Sequence, residues 1–187
     1  MSFFSPSRFL IRFRPRTNAL VLGLFVGLLG AGGLAPAGSG AELGTATTTA
    51  ATTSTREIVL NLSSRTISLV DSGAVLGQWP VAIGDPASPT PTGRYAVLNK
   101  VVNPRYQSTK SGRINPKIGA NSPLGDRWMG FLQSGKNQFG IHGTPAAWSW
   151  TVTSRAAVTN GCVRMLRPHV QQLFDQVEVG TPVIVTR

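Results

Sequence analysis

Three residues able to do acyl chemistry fall near one another in the last third of the sequence. His142 stands in IHGT. Cys162, the only cysteine, stands in VTNGCVRM, with Arg164 two places on. A thiol becomes a useful nucleophile when a base within hydrogen-bond reach raises its thiolate fraction. Histidine is the side chain whose ordinary pKa lies near neutrality. If a fold brings them together, His142 and Cys162 make a sufficient dyad for covalent catalysis. Cys162 and Arg164 share a face if the segment is a strand. The guanidinium can then raise thiolate character or clamp a substrate carboxylate. Its structural alternative is a salt bridge or carbonyl clasp that holds the loop. Gly161 permits a positive φ, and the backbone N–H groups of Gly161 and Cys162 can form an oxyanion hole. Against all this, a lone cysteine also serves as a small buried hydrophobe. Spacing alone leaves the two readings open.

The remaining candidates are weaker. His169 lies on a helical segment, off its apolar stripe, and reads as an exposed surface residue. The chain has neither a Cys-x-x-Cys nor a His-x-x-x-His spacing, so no metal is expected, and nothing implies a cofactor. Trp148 and Trp150 lie between the two chemical segments. They read as packing beneath a loop or as a lid that keeps water from an acyl site.

The elements that must position these residues begin after a long N-terminal preamble. Residues 1–16 carry Arg8, Arg12, Arg14 and Arg16 without an acid. Residues 19–34, ALVLGLFVGLLGAGGL, are free of charge, and small residues follow in APAGSGAE. That pattern predicts, over residues 1–40, a secretory signal or an uncleaved membrane anchor with the bulk of the chain exported. The expected location is the periplasm or cell envelope. Residues 41–55, rich in Thr and Ala, lack the large apolar side chains that drive ordering and read as a flexible linker. From Arg56 onward, 14 Lys/Arg stand against 6 Asp/Glu, a balance of +8 within a chain total of +11. Such a surface can attract nucleic acid, anionic lipid or an acidic polymer, or be simply a solvated basic face, and with no basic–aromatic interleaving and no nucleic-acid motif nucleic acid is not an expected partner.

Residues 56–187 read as one mainly β domain. EIVLNL places Ile58, Leu60 and Leu62 on one face, and TISLV returns with Ile67 and Leu69 inward after a turn at 63–65. Asp71-Ser72-Gly73 is a second turn. AVLGQWPVAIG supplies a third strand and the start of a fourth, giving an antiparallel meander. RYAVLN reads as one strand. Residues 103–127, broken by Pro104, Pro116 and Pro123, form a long loop of the kind that is usually functional or disordered. Its Arg105, Lys110, Arg113 and Lys117 could meet an acidic polymer. RWMGFLQ and QFGIHG are two further strands, the second ending at His142. A helix with Pro168 in its first turn carries Val170, Leu173, Phe174 and Val177 on one stripe and stops near Gly180. PVIVT is the last strand.

IHGT (141–144) followed by TNGCVRM (159–165) resembles the signature of the L,D-transpeptidase catalytic domain, the YkuD type. PTPTG (89–93), SPLGDRWMGF (122–131) and VGTPVIV (179–185) extend the likeness over nearly the whole segment from Ile58 to Val185. The resemblance implies a β-sandwich or barrel-like fold with one or two short helices. It also implies an exported enzyme acting on peptidoglycan stem peptides, both donor and acceptor. In such enzymes Cys162 would attack the carbonyl of the third stem residue, the terminal D-residue would leave, and a second amine would take the acyl group from the thioester. An L,D-carboxypeptidase, with water as acceptor, and a silent wall-binding protein are the alternatives. His142 would be the base, oriented by a backbone carbonyl near Gly143. Gly161 and Cys162 would supply oxyanion donors, and Arg164 would order the loop or bind a carboxylate. Thr159 keeps the hydroxyl that is commonly a serine in the family. Asn160 stands where the family often has histidine, and asparagine cannot act as a base.

Overall fold

The computed structural model describes residues 9–10, 55–108 and 111–187. The chain from Arg56 builds a sandwich of two sheets. The larger takes the order β4-β3-β2-β13-β6 and the smaller the order β12-β10-β9-β7. β2 (Arg56–Asn61), β3 (Thr66–Asp71) and β4 (Ala74–Pro80) form the expected meander. The hairpin between β3 and β4 turns on Ser72 and Gly73, with φ of 51° and 82°. Two positive φ angles in a two-residue loop are what the twist of a tight hairpin requires. β13 (Pro182–Thr186) closes the sheet by pairing parallel to β2 and antiparallel to β6 (Gly93–Ala96).

Alternation decides what the sandwich buries. Ile58, Leu60, Ile67, Leu69, Val183 and Val185 face inward from the larger sheet. Met129, Phe131, Ile141 and Val163 meet them from the smaller one, which contains β9 (Arg127–Ser134), β10 (Asn137–His142) and β12 (Val163–Arg164). α2 (Arg167–Gln176) adds Val170 and Leu173, with Phe174 packed against the cluster and Val177 just beyond the helix. Its apolar stripe is the one read from the sequence. The helix ends at Gln176, however, because Val177 is already extended, and Gly180 serves the turn into β13 instead.

Two strand expectations need correction as well. RYAVLN is not one strand. The Val97 N–H donates to the Thr181 carbonyl beside the larger sheet, and the next N–H, of Leu98, donates to Gly130 in the smaller one. The chain therefore changes sheets there, ending β6 and starting β7 (Asn99–Val102). Nor does the segment after Pro80 extend the meander. Ala82 exchanges two backbone hydrogen bonds with Arg164, and β5 (Ile83–Gly84) pairs parallel with β11 (Ala157–Thr159).

Among its described residues the long loop, which runs from Asn103 into β9, carries β8 (Gln107–Ser108), which pairs with β1 (Phe9–Leu10), a single bridge from Gln107 to Ile114, and one turn of 3-10 helix at Gly119–Asn121. Between β10 and β11 the chain forms a 3-10 turn, Ala146–Trp148, and the short helix α1, Ser149–Thr153. No helix among the described residues is long and apolar enough to cross a membrane. The apolar run 19–34, nearly all of the segment 1–40 and the linker up to residue 54 lie outside the described residues, as does Lys110.

Candidate active site

Parallel pairing of β10 with β12 sets Ile141 opposite Val163 and His142 opposite Arg164. One residue back, Cys162 lies beside Gly140. His142, Cys162 and Arg164 thus share the face of the smaller sheet that points away from the core. Gly140 is needed here, since a Cβ would stand 2.5 Å from the Trp128 indole. That indole lies over Gly140, stacks on the His142 ring with centroids 6.0 Å apart, and clusters with Cys162 and Leu124. Its Nε1–H donates to Asn99 Oδ1 at 3.0 Å, which fixes the plane of the ring.

The polar contacts orient both side chains. His142 Nδ1 and the Gly143 carbonyl oxygen are 2.6 Å apart, so Nδ1 carries the proton and Nε2 is the basic nitrogen. Burial pushes the His142 pKa down to about 3. The Arg164 charge adds to this, and the carbonyls of Gly143 and Leu124 oppose it. Burial likewise pushes the Cys162 thiol up to about 11, against the Gly140 N–H and the Arg164 charge, which favour thiolate. The thiol points at the Gln138 carbonyl at 3.9 Å. At neutral pH the pair is thus a thiol and a neutral imidazole.

The loop that presents Cys162 is tied down on every side. Gly161 has φ of +94°, and a Cβ on it would stand 2.5 Å from the Phe139 ring. No other residue type fits both conditions. Thr159 is buried, and its hydroxyl donates to the Cys162 carbonyl at 2.6 Å. The Thr159 carbonyl accepts from the Asp85 N–H.

Arg164 makes neither the salt bridge nor the side-chain carbonyl clasp considered above. Its Nη1 donates to Thr151 Oγ1 at 3.1 Å, and its guanidinium lies over the Trp148 ring at 5.1 Å. Its Nε is buried without a partner, and no carboxylate of the described residues pairs with it. A half-buried cation without a counter-ion is costly unless something anionic arrives.

These groups line a cleft of about 350 Å³, together with Tyr106, Leu124, Trp148 and Asn160. Trp150, 61% exposed, is not part of its wall, so the two tryptophans separate. Asn160 is exposed at the rim. The cleft adjoins a larger trough of about 630 Å³ through Asn115, Pro123 and Trp148. His169 is half-buried rather than exposed, with its ring 6.3 Å from that of Trp79.

Sequence reasoning passed over several contributors. Tyr106 comes from the long loop, and burial together with the nearby Cys162 raises its pKa. Gly125, at φ +64°, lets the loop cross directly over Gly143, where a Cβ would stand 2.7 Å from Gly143 Cα. Asp126, 3% exposed, anchors that crossing by accepting from Arg167 at 3.1 Å and Gln171 at 2.6 Å. The SPLGD sequence carried the only signal, a turn-rich run before a strand. Among the described residues no group of His, Cys, Asp or Glu is placed to hold a metal.

With this geometry, the comparisons identify the class. The L,D-transpeptidase catalytic domain family, YkuD, matches residues 55–185, and the chain belongs to it. It is 33% identical over 131 residues to the putative L,D-transpeptidase YqjB of Bacillus subtilis, covering 69% of this chain and 70% of that protein. It is 28% identical over 127 residues to L,D-transpeptidase 1 of Mycobacterium tuberculosis, covering 68% of this chain but 49% of that protein. A solved L,D-transpeptidase from Mycobacterium smegmatis shares the fold at a TM-score of 0.55 and 24% identity, over 72% of this chain and 59% of that one.

Proposed function

We propose that the protein is a peptidoglycan L,D-transpeptidase that works through a Cys162 thioester, exported by its N-terminal segment to the cell envelope. The observation that carries this is the β10–β12 register. It puts Cys162 and His142 on one face of one cleft, with Nδ1 held by a carbonyl and Nε2 left basic. In this reading Sγ attacks the carbonyl of the third stem residue while Nε2 takes the thiol proton. The S–C bond forms, the C–N bond to the terminal D-residue breaks, and the proton passes to the departing amine. A second amine then attacks the thioester and gives its proton to Nε2, and the thiolate leaves and is reprotonated. Because the resting pair is neutral, proton transfer accompanies attack rather than preceding it. The backbone N–H groups of Gly161 and Cys162 serve as oxyanion donors.

Arg164, lacking a carboxylate partner, takes the α-carboxylate of the leaving residue. Trp148 and Tyr106 wall the cleft against water, which favours an amine acceptor over hydrolysis. Asn160 supports the loop by hydrogen bonding.

The test is incubation of the purified protein with a tetrapeptide-bearing muropeptide, with products read by mass. Cross-linked dimers are expected. Tripeptides alone would make the enzyme an L,D-carboxypeptidase, and unchanged substrate would refute both activities.

A further inference from the structure

β10 runs from Asn137 to His142, yet β12 covers its edge only opposite Ile141 and His142. Nearer its start, no strand of the described residues pairs with that edge, because Gly161 at φ +94° has turned the chain away. The Gln138 carbonyl faces this side, where the Cys162 thiol approaches it. A groove of about 310 Å³ opens at the same place, lined among others by Ser88, Ser134, Asn137, Gln138 and Asn160, with no charged side chain in its wall. Asn160 is the lining residue that it shares with the Cys162 cleft.

Reversibility decides what belongs on each side of Cys162. The departing amine must gain a proton and the incoming amine must lose one, both at His142 Nε2 and both at the same carbonyl carbon. The end of β10 that carries His142 and Arg164 therefore serves the leaving group and the acceptor. The trough beyond Trp148 continues that side. The acyl arm of the donor has to run the other way from the attacked carbonyl, toward Gln138.

We infer that the neutral groove is the subsite for this acyl arm. The peptide N-terminal to the attacked carbonyl lies extended along this uncovered edge of β10, as an added strand would, and the Gln138 carbonyl that the thiol approaches at rest is released to it once Sγ is acylated and has no proton to donate. Ser88, Ser134, Asn137 and Asn160 surround it with uncharged donors and acceptors. Asn160 sits at the junction, where the arm enters the cleft. This assignment rests on the transpeptidase reading and adds a direction to it.

The experiment fills the groove from its exposed rim with Ala87→Trp and, separately, Ser134→Trp in the full chain. A tetrapeptide muropeptide is the donor, and a tripeptide muropeptide, which has no leaving residue, is the acceptor. Both variants are expected to raise the donor KM about tenfold or more while the acceptor KM stays within about twofold. Iodoacetamide should alkylate Cys162 at the wild-type rate, showing an intact site. A raised acceptor KM with an unchanged donor KM would give the groove to the acceptor and overturn the inference. Wild-type values for both would make it plain surface and overturn it as well. A wild-type protein that forms no thioester defeats the transpeptidase reading itself, a result distinct from either.

Discussion

On one face of the smaller sheet Met129, Phe131, Ile141 and Val163 are at most 2% exposed and pack against the larger sheet. On the other face, one residue along the same strands, stand Trp128, Gly130, Gln138, Gly140, His142 and Cys162. The first face is filled by interchangeable apolar volume. The second is held by exact fits that use glycine for clearance, and it buries a thiol, an imidazole and part of an arginine. Burial is comparable on the two faces, since His142 is 3% and Cys162 7% exposed. What differs is its effect. On the first face burial stabilises the sandwich, and on the second it shifts pKa values away from those of the free side chains.

Substitutions separate the faces. Cys162→Ala should remove cross-linking activity by about 1000-fold or more, with little change in melting temperature, because a nucleophile has no substitute in its own reaction. Muropeptide product analysis alongside a thermal melt checks both halves. Ile141→Ala, next in sequence to His142 but on the core face, should cost about 2–5 kcal/mol of stability in a denaturant titration. If the folded fraction turned over poorly as well, the two faces would be less independent than described.

Glycines give a finer contrast. Gly73 and Gly161 both have positive φ, but a Cβ on Gly73 meets nothing within 4 Å, whereas one on Gly161 meets the Phe139 ring. Gly73→Ala should cost only backbone strain, about 1–2 kcal/mol, and leave activity intact. Gly161→Ala adds the clash, so it should cost more and displace Cys162, lowering activity too. Paired denaturation and activity measurements decide this.

The smallest effect is one of pH. Iodoacetamide reactivity of Cys162 in the free protein should be low at neutrality and climb with pH toward the thiol pKa of about 11. The sign follows from burial, which favours the neutral thiol, so the protein holds this proton at a pH where a free cysteine has lost it. A rate plateau reached below neutral pH would reveal a resting thiolate–imidazolium pair instead.

Much of this was legible locally. Ile58, Leu60, Ile67 and Leu69 alternate as half-buried strands do, and the stripe Val170, Leu173, Phe174 has helical spacing. The motif segments around His142 and Cys162 were also legible. The rest depends on distant pairing. Nothing near Ile83 announces that it lies beside Ala157, and Val97 reads as mid-strand although it turns a corner between sheets. Tyr106, Leu124 and Asp126 reach the site through a loop whose path is set by the close approach of Gly125 to Gly143. No periodicity encodes that approach. Helix α1 was missed because SWTVT is rich in β-branched and aromatic residues, which local propensity assigns to strands.

The central claim is that Cys162, served by His142, is the residue acylated during the reaction. Intact-protein mass spectrometry after exposure to a carbapenem tests it most directly, since that β-lactam is an acyl donor whose adduct persists. The account predicts a single added carbapenem mass on the wild type, slow acylation of His142→Ala, and no adduct on Cys162→Ala. An adduct that survives in Cys162→Ala would contradict it.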